Sequence, residues 1–306
     1  MDSAYEMGPG GLECLGPHSS FLGLDLPETG FEGVRALIIP APYDGTTTYR
    51  SGTREGPRAI LAASRELELF DEETCTEAYR HGIATLAEVP VTVSSPRDMV
   101  DNVRAAASSV ISAGKLPVLL GGEHLLSLGM IEAVAQTWQN VTILHVDAHA
   151  DLRETYQGSP YSNACIMRLA LKHASLVQVG IRALTAEEND FIRDRHIPCF
   201  FAYQLHRQPE LYGRILPALG ENVYISIDLD GFDPSIMPAV GTPEPGGLGW
   251  YEVLSLLRLV TKNRRVVGFD VMELLPIPQT AAPDLLAARL VYKLLSYIFL
   301  DNPLPC

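Results

Sequence analysis

The stretch Val141-Thr142-Ile143-Leu144-His145-Val146-Asp147-Ala148-His149-Ala150-Asp151 sets the architecture. Its first six residues are almost continuously apolar, the pattern of a parallel strand buried on both faces. Its last five alternate acid, alanine, imidazole, alanine and acid, just where that strand must end. On either side, short apolar runs predict further strands over 34–40, 83–86, 116–120, 176–181, 198–202, 222–228 and 265–271. Helical patterns lie between them, over 57–67, 97–113, 125–136, 163–173, 186–195, 209–219, 250–261 and 281–300. Ser95-Pro96, and Thr185 ahead of Glu187 and Glu188, supply helix-start chemistry. This alternation predicts a single α/β domain, a three-layer α/β/α arrangement around a mostly parallel sheet of about eight strands. Residues 1–20 are rich in Gly, Pro and Ser and predict a loose arm, leaving 21–306 as the domain.

Ligands of such sheets bind beyond the carboxyl ends of the strands, and four of the runs end in chemistry. Gly121-Gly122-Glu123-His124 follows one, Asp147 to Asp151 the next, and Asp228-Leu229-Asp230-Gly231-Phe232-Asp233 a third. Asp270-Val271-Met272-Glu273 closes the fourth. In an extended segment residues i, i+2 and i+4 share a face, so Asp147, His149 and Asp151 converge, as do Asp228 and Asp230. Clustered carboxylates repel one another unless cations neutralise them. His124, Asp147, His149, Asp151, Asp228 and Asp230 are too many ligands for one ion and suit two divalent ions. Manganese fits best, with cobalt, nickel or zinc as alternatives. Alone, an Asp-x-His is usually a hydrogen-bonded turn, and an Asp-x-Asp-x-x-Asp-Pro is often a turn or a calcium loop. Their arrival together at successive strand ends favours the dinuclear site.

Composition narrows the partners. The 306 residues carry a net charge of −14, which argues against a nucleic-acid surface and suits a small cationic substrate. Five scattered cysteines without a CxxC pair indicate neither a disulfide framework nor a thiolate zinc site, and a reducing cytoplasm fits them best. No signal peptide is evident, and the apolar run 285–300 is broken by Arg289 and Lys293, so no membrane partner is expected.

These residues resemble the ureohydrolases (arginase, agmatinase, formiminoglutamase, guanidinobutyrase), most closely the agmatinase branch, over roughly 20–300. The resemblance rests on Pro42-Tyr43-Asp44-Gly45, on Gly52-Thr53-Arg54-Glu55-Gly56-Pro57 and on the strand-end motifs above. Gly241-Thr242-Pro243-Glu244-Pro245-Gly246-Gly247 and Glu273 complete it. It implies an arginase-like fold and two Mn²⁺, with His124 and Asp151 on one ion, His149 and Asp230 on the other, and Asp147 and Asp228 bridging. It also implies that Glu273 pairs with the substrate's guanidinium through two parallel hydrogen bonds. A water between two ions loses a proton near neutral pH, Asp151 orients the resulting hydroxide, and the products are urea and an amine. The family commonly forms trimers and hexamers, so a homo-oligomer is implied.

Two positions depart from the family pattern. Asn163 stands where a histidine assigned to proton transfer or substrate contact is usual, and Leu125 where a serine follows the first metal histidine. Asparagine hydrogen-bonds but cannot shuttle a proton near neutral pH. Asn163 is therefore a natural variant with another proton route, an engineered inactivation, or the mark of a paralogue with altered substrate. Glu123 is expected to support the metal ligands; Arg153 and Tyr156 either line the substrate pocket or face solvent, and Glu154 either faces the pocket's far cationic end or, as the plainer reading, solvent. His145 reads as a satisfied core histidine, and His81, His173, His196 and His206 as surface groups. The segment 152–158 lacks the Asn and Ser with which arginase grips an amino acid, which points to agmatine or an aminopropyl-extended agmatine, with guanidinobutyrate second. The reading from another class is a metal-binding regulatory paralogue without activity.

Overall fold

The computed structural model describes residues 5–7 and 11–301. A short antiparallel pair, β1 (Tyr5–Met7) and β2 (Glu13–Leu15), precedes the main sheet. That sheet comprises β3 (Ala36–Ala41), β4 (Ile83–Thr85), β5 (Leu116–Gly121) and β6 (Val141–Val146). It continues with β7 (Ser175–Ile181), β8 (Cys199–Phe201), β9 (Asn222–Asp228) and β10 (Arg265–Met272). Their order is β4-β3-β5-β10-β9-β6-β7-β8, and every pairing is parallel. The helices are α1 (Gly56–Ser64), α2 (Pro96–Ser112), α3 (Ser127–Thr137), α4 (Ile166–Ala170) and α5 (Ala186–Asp194). They are followed by α6 (Ala202–Arg207), α7 (Tyr212–Ala218), α8 (Trp250–Asn263) and α9 (Ala282–Asp301).

Alternation along the strands builds two cores. Ala36 and Ile38 of β3, and Val223, Ile225 and Ile227 of β9, pack with residues of α1, α8 and α9. Leu37, Ile39 and Tyr224 point the other way, toward α2 and α3. Successive strand side chains serve opposite faces, so strands this apolar can only lie between two helical layers, as the sequence predicts. No helix among the described residues is long and apolar enough to cross a membrane.

Three expectations need correction. Residues 11–20 are no loose arm: Cys14 is fully buried, bridges Leu86, and the carbonyl of Glu13 accepts the Ala87 amide. Leu12 and Cys14 give that segment enough apolar surface to close the sheet edge at β4. The part of the arm at 1–4 and 8–10 lies outside the described residues. The helix expected over 163–173 begins as a 3₁₀ turn and shortens to α4, whose first amides, Met167 and Arg168, cap the carbonyl of Asp151. Finally, the strand expected over 198–202 stops at Phe201, where α6 begins.

Because all strands are parallel, their carboxyl ends share one edge. Ile227 pairs with both Val146 and Val271, so Asp147, Asp228 and Met272 leave the sheet on one level. Close approach at β5 completes the edge. A Cβ on Gly122 would lie 2.0 Å from the carbonyl oxygen of Tyr43, so only glycine lets the 41–46 segment run against the strand end. Gly122→Ala is therefore expected to cost about 1–3 kcal/mol, read as a lower urea midpoint; an unchanged midpoint would mean that the Tyr43 segment yields freely.

Candidate metal centre

The ends of β5, β6 and β9 bring all six sequence-derived ligand candidates together. His124 Nδ1 lies 3.1 Å from Asp147 Oδ2, 3.1 Å from Asp228 Oδ2 and 3.6 Å from Asp151 Oδ2. His149 Nδ1 lies 2.9 Å from Asp230 Oδ2 and 3.6 Å from Asp147 Oδ1. Asp147 thus offers one oxygen to each cluster. The clusters fit cations rather than hydrogen bonds alone: His124 Nδ1 is buried, without a hydrogen-bond partner, and aimed at three carboxylate oxygens.

Four of the six candidate ligands, His124, Asp147, Asp228 and Asp230, have a further hydrogen-bond partner. His124 Nε2 meets Ser226 Oγ at 2.9 Å, and that hydroxyl donates to Asp270, which also accepts from Tyr224. Asp147 accepts from the His149 amide, Asp228 from the Asp230 amide, and Asp230 from the Ala148 amide and the Thr242 hydroxyl. His145 is the satisfied core histidine expected, yet it also serves the site. Its Nε2 sits 2.8 Å from Asp147 Oδ2 and its Nδ1 contacts Gln178, so it supports Asp147 rather than adding a free ligand. Glu123 receives both the amide and the hydroxyl of Thr46, so it holds the 41–46 segment and not, as expected, a metal ligand. Asp44 binds the Gly52 amide and Arg54, which explains why the two early motifs belong together.

The chain's own chemistry without ions is a crowd of protons. Burial disfavours the His149 imidazolium, but Asp230 and Asp147 outweigh it and push its pKa up to about 12. His124 is raised in the same way despite burial, by Asp147 and Asp228. Burial and neighbouring carboxylates lift Asp151 and Asp228 well above the usual range. Asp147 resists burial and stays well below that range because His145 and His124 face it.

A cleft of about 330 Å³ opens over these groups, lined among others by Arg50, Arg153, Tyr156, Glu188, Glu244 and Glu273. Arg153 lies over the Tyr156 ring at 4.8 Å. Arg153 and Tyr156 line the cleft, whereas the side chain of Glu154 is turned to solvent near Arg168; Glu244 is among the acids that line the cleft. Glu273 lines the cleft, but its Oε1 is already filled by the His124 amide at 2.7 Å and by Asn163 Nδ2 at 2.9 Å. Oε2, which makes no hydrogen bond among the described residues, is the carboxylate oxygen left to a ligand. His81, expected at the surface, is half-buried against Phe299 and Arg35, whereas His173, His196 and His206 are exposed.

Sequence reading missed two other supports. Arg182 drives its guanidinium into the carbonyls of Gly180, Asp230, Gly231, Phe232 and Glu244, pinning the Asp230 loop. Glu188 caps α5 through Thr185 and reaches back to the Leu152 amide beside Asp151. The capping signal of Glu188 is legible in sequence; its second partner is not.

The Arginase family pattern matches residues 34–296. N(1)-aminopropylagmatine ureohydrolase of Thermus thermophilus is 41% identical over 266 residues, covering 87% of this chain and 90% of that one. The enzyme of the same name from a Synechocystis species is 37% identical over 277 residues, covering 88% and 90%. Among solved structures, the agmatine ureohydrolase of Thermoplasma volcanium superposes with a TM-score of 0.79 at 30% identity, covering 88% of this chain and 91% of that one.

Two outcomes follow from the electrostatics. The raised histidines hold protons through neutral pH, so divalent cations must displace them. Metal uptake is expected to release protons and to weaken as pH falls from about 8.5 to 6.5, measured by calorimetry in buffers of different ionisation enthalpy. Uptake without proton release contradicts the protonation pattern. Asp151 also sits at φ 55°, a conformation asparagine tolerates better than most residues. Asp151→Asn is expected to raise the melting temperature of the metal-free protein by about 2 °C or more while lowering metal affinity; a lower melting temperature would show that repulsion at Asp151 is already relieved.

Proposed function

This chain belongs to the arginase family, and we propose that it hydrolyses agmatine or an aminopropyl-extended agmatine to urea and the corresponding amine. The observation that carries this reading is the pair of adjoining His/Asp clusters sharing Asp147, with Glu273 Oε2 open beside them. The names of the relatives support the substrate, and the absence of an Asn/Ser grip after Asp151 is consistent with it.

Two Mn²⁺ are the proposed cofactors: His124 and Asp151 would hold one and His149 and Asp230 the other, with Asp147 and Asp228 shared. When bound, such a pair acidifies water enough to provide hydroxide near neutral pH. The rest falls to the chain's side chains. Glu273 Oε2 accepts N–H groups of the guanidinium and fixes its plane, a charge-assisted contact in a partly dry cleft. Asp151 accepts the proton of the attacking water at its carboxylate and returns it to the departing nitrogen. The carbon–oxygen bond forms, the carbon–nitrogen bond to the alkyl amine breaks, and urea remains. Asn163 takes no part in that proton transfer, because an amide does not titrate near neutral pH.

The proposal extends to a cytoplasmic homo-oligomer, a trimer or hexamer. Cys75, Cys165 and Cys199, which form no disulfide among the described residues, are consistent with a reducing compartment. Cys306 lies outside the described residues.

Metal analysis paired with urea release tests the reading. Manganese-loaded protein is expected to bind two ions and to release urea from agmatine or its aminopropyl derivative far faster than from arginine or guanidinobutyrate. Two bound ions without urea from any of these would favour the regulatory paralogue. Glu273→Gln, which turns an amide toward the guanidinium, is expected to lower kcat/KM by about 100-fold with metal content unchanged. A loss below about threefold would remove Glu273 from the substrate site.

A further inference from the structure

We propose that Asn163 is a positioning residue, whose amide locks Glu273 to the turn carrying His124 and so determines which carboxylate oxygen meets the guanidinium. The inference rests on the ureohydrolase reading for the identity of the ligand, but not for the contact itself.

The geometry is a closed set of three bonds. Asn163 Oδ1 accepts the Leu125 amide at 3.0 Å, and Asn163 Nδ2 donates to Glu273 Oε1 at 2.9 Å. The His124 amide donates to the same Oε1 at 2.7 Å. A carboxylate oxygen has two lone pairs, so Oε1 is saturated and the carboxylate plane can no longer rotate. The side-chain amide has no second orientation, since a backbone N–H demands its oxygen and a carboxylate demands its nitrogen. Glu273 needs such a hold: it follows β10 at φ 67°, a left-handed conformation that a non-glycine residue keeps only when its surroundings fix it.

The departure from the family's histidine then has a physical meaning. A neutral imidazole can accept from one neighbour and donate to another, as this amide does, whereas an imidazolium offers two donors and would face the Leu125 N–H with one of them. Asparagine keeps the donor–acceptor clamp in a form that does not titrate. It separates holding Glu273 from moving a proton, and retains the first.

A double-mutant cycle on the manganese-loaded full chain tests this, with agmatine affinity by calorimetry and, where urea is released, kcat and KM. Asn163→Asp keeps an acceptor for Leu125 but replaces the donor to Glu273, and is expected to weaken agmatine binding by about 10-fold or more. The loss should fall in KM more than in kcat, with metal content unchanged. Asn163→His, which can restore both bonds, is expected to stay within about threefold of the parent. Combined with Glu273→Gln, Asn163→Asp is expected to add less than about twofold to the Glu273→Gln loss, because the two act through one contact. Losses that multiply, or a Glu273-independent effect of Asn163→Asp, would overturn the assignment. Agmatine binding without urea release from the parent chain would sink the hydrolase reading and leave the clamp intact.

Discussion

Burying four carboxylates within a few ångströms of one another is the constraint around which the carboxyl edge of this sheet is built. Asp147, Asp151, Asp228 and Asp230 are nearly solvent-free, and like charges so placed repel strongly in a poorly polarisable interior. The chain answers first with backbone amides. Asp230 accepts the Ala148 N–H from the neighbouring strand end, Asp147 and Asp228 each accept the amide two residues on in their own segment, and α4 turns the Met167 and Arg168 amides on the main-chain carbonyl of Asp151. The small residues of the motif follow from this, because Ala148 and Ala150 let the segment fold back on itself without steric cost. Amides only partly offset the charge, and two imidazoles that bind protons tightly take up more of it. The same protons are what cations displace, so the repulsion among these carboxylates is also what would draw metal to them.

Much of this was legible because parallel sheets write themselves plainly. Runs such as 141–146 and 222–228 are apolar at every position but a few, and the acids begin where the runs stop. The six candidate ligands required only that rule and the two-residue period. The exceptions inside the strands were legible too, in hindsight of parity alone. His145 shares a face with Asp147, and Ser226 with Asp228; each proves to support a ligand candidate. What parity cannot give is the partner across the sheet. Nothing in the sequence ties Gln178 to His145, Arg182 to the carbonyls of 230–232, or Glu188 to Leu152, since those pairs depend on strand order and loop path.

The misreadings have the same origin. Residues 11–20 look like a coil because their composition is loop-like, yet two apolar side chains suffice to seat them where the β4 edge would otherwise lie open. Glu154 is a pocket candidate only by its nearness to Asp151 in sequence; its side chain faces solvent, while Glu244 from a distant loop lines the cleft. Glu273 lines the cleft, and its neighbours show what the sequence does not, that one oxygen already accepts two N–H groups.

Asp151 and Glu273, both in left-handed backbone, are the two residues that the proposed reaction brings nearest to water and guanidinium. Such conformations persist only where surrounding contacts over-determine them, and here those contacts are specific: the α4 amides and Glu188 around the loop of Asp151, and the His124 amide with Asn163 around Glu273. The argument bears on position 163 in particular. If that side chain existed only to move protons, asparagine there would mark a dead site, and nothing would require its amide to satisfy two neighbours at once. Because it does satisfy them, the substitution preserves the geometry of the carboxylate that would receive the substrate. A chain that had abandoned guanidinium binding would have no physical reason to keep that carboxylate aimed.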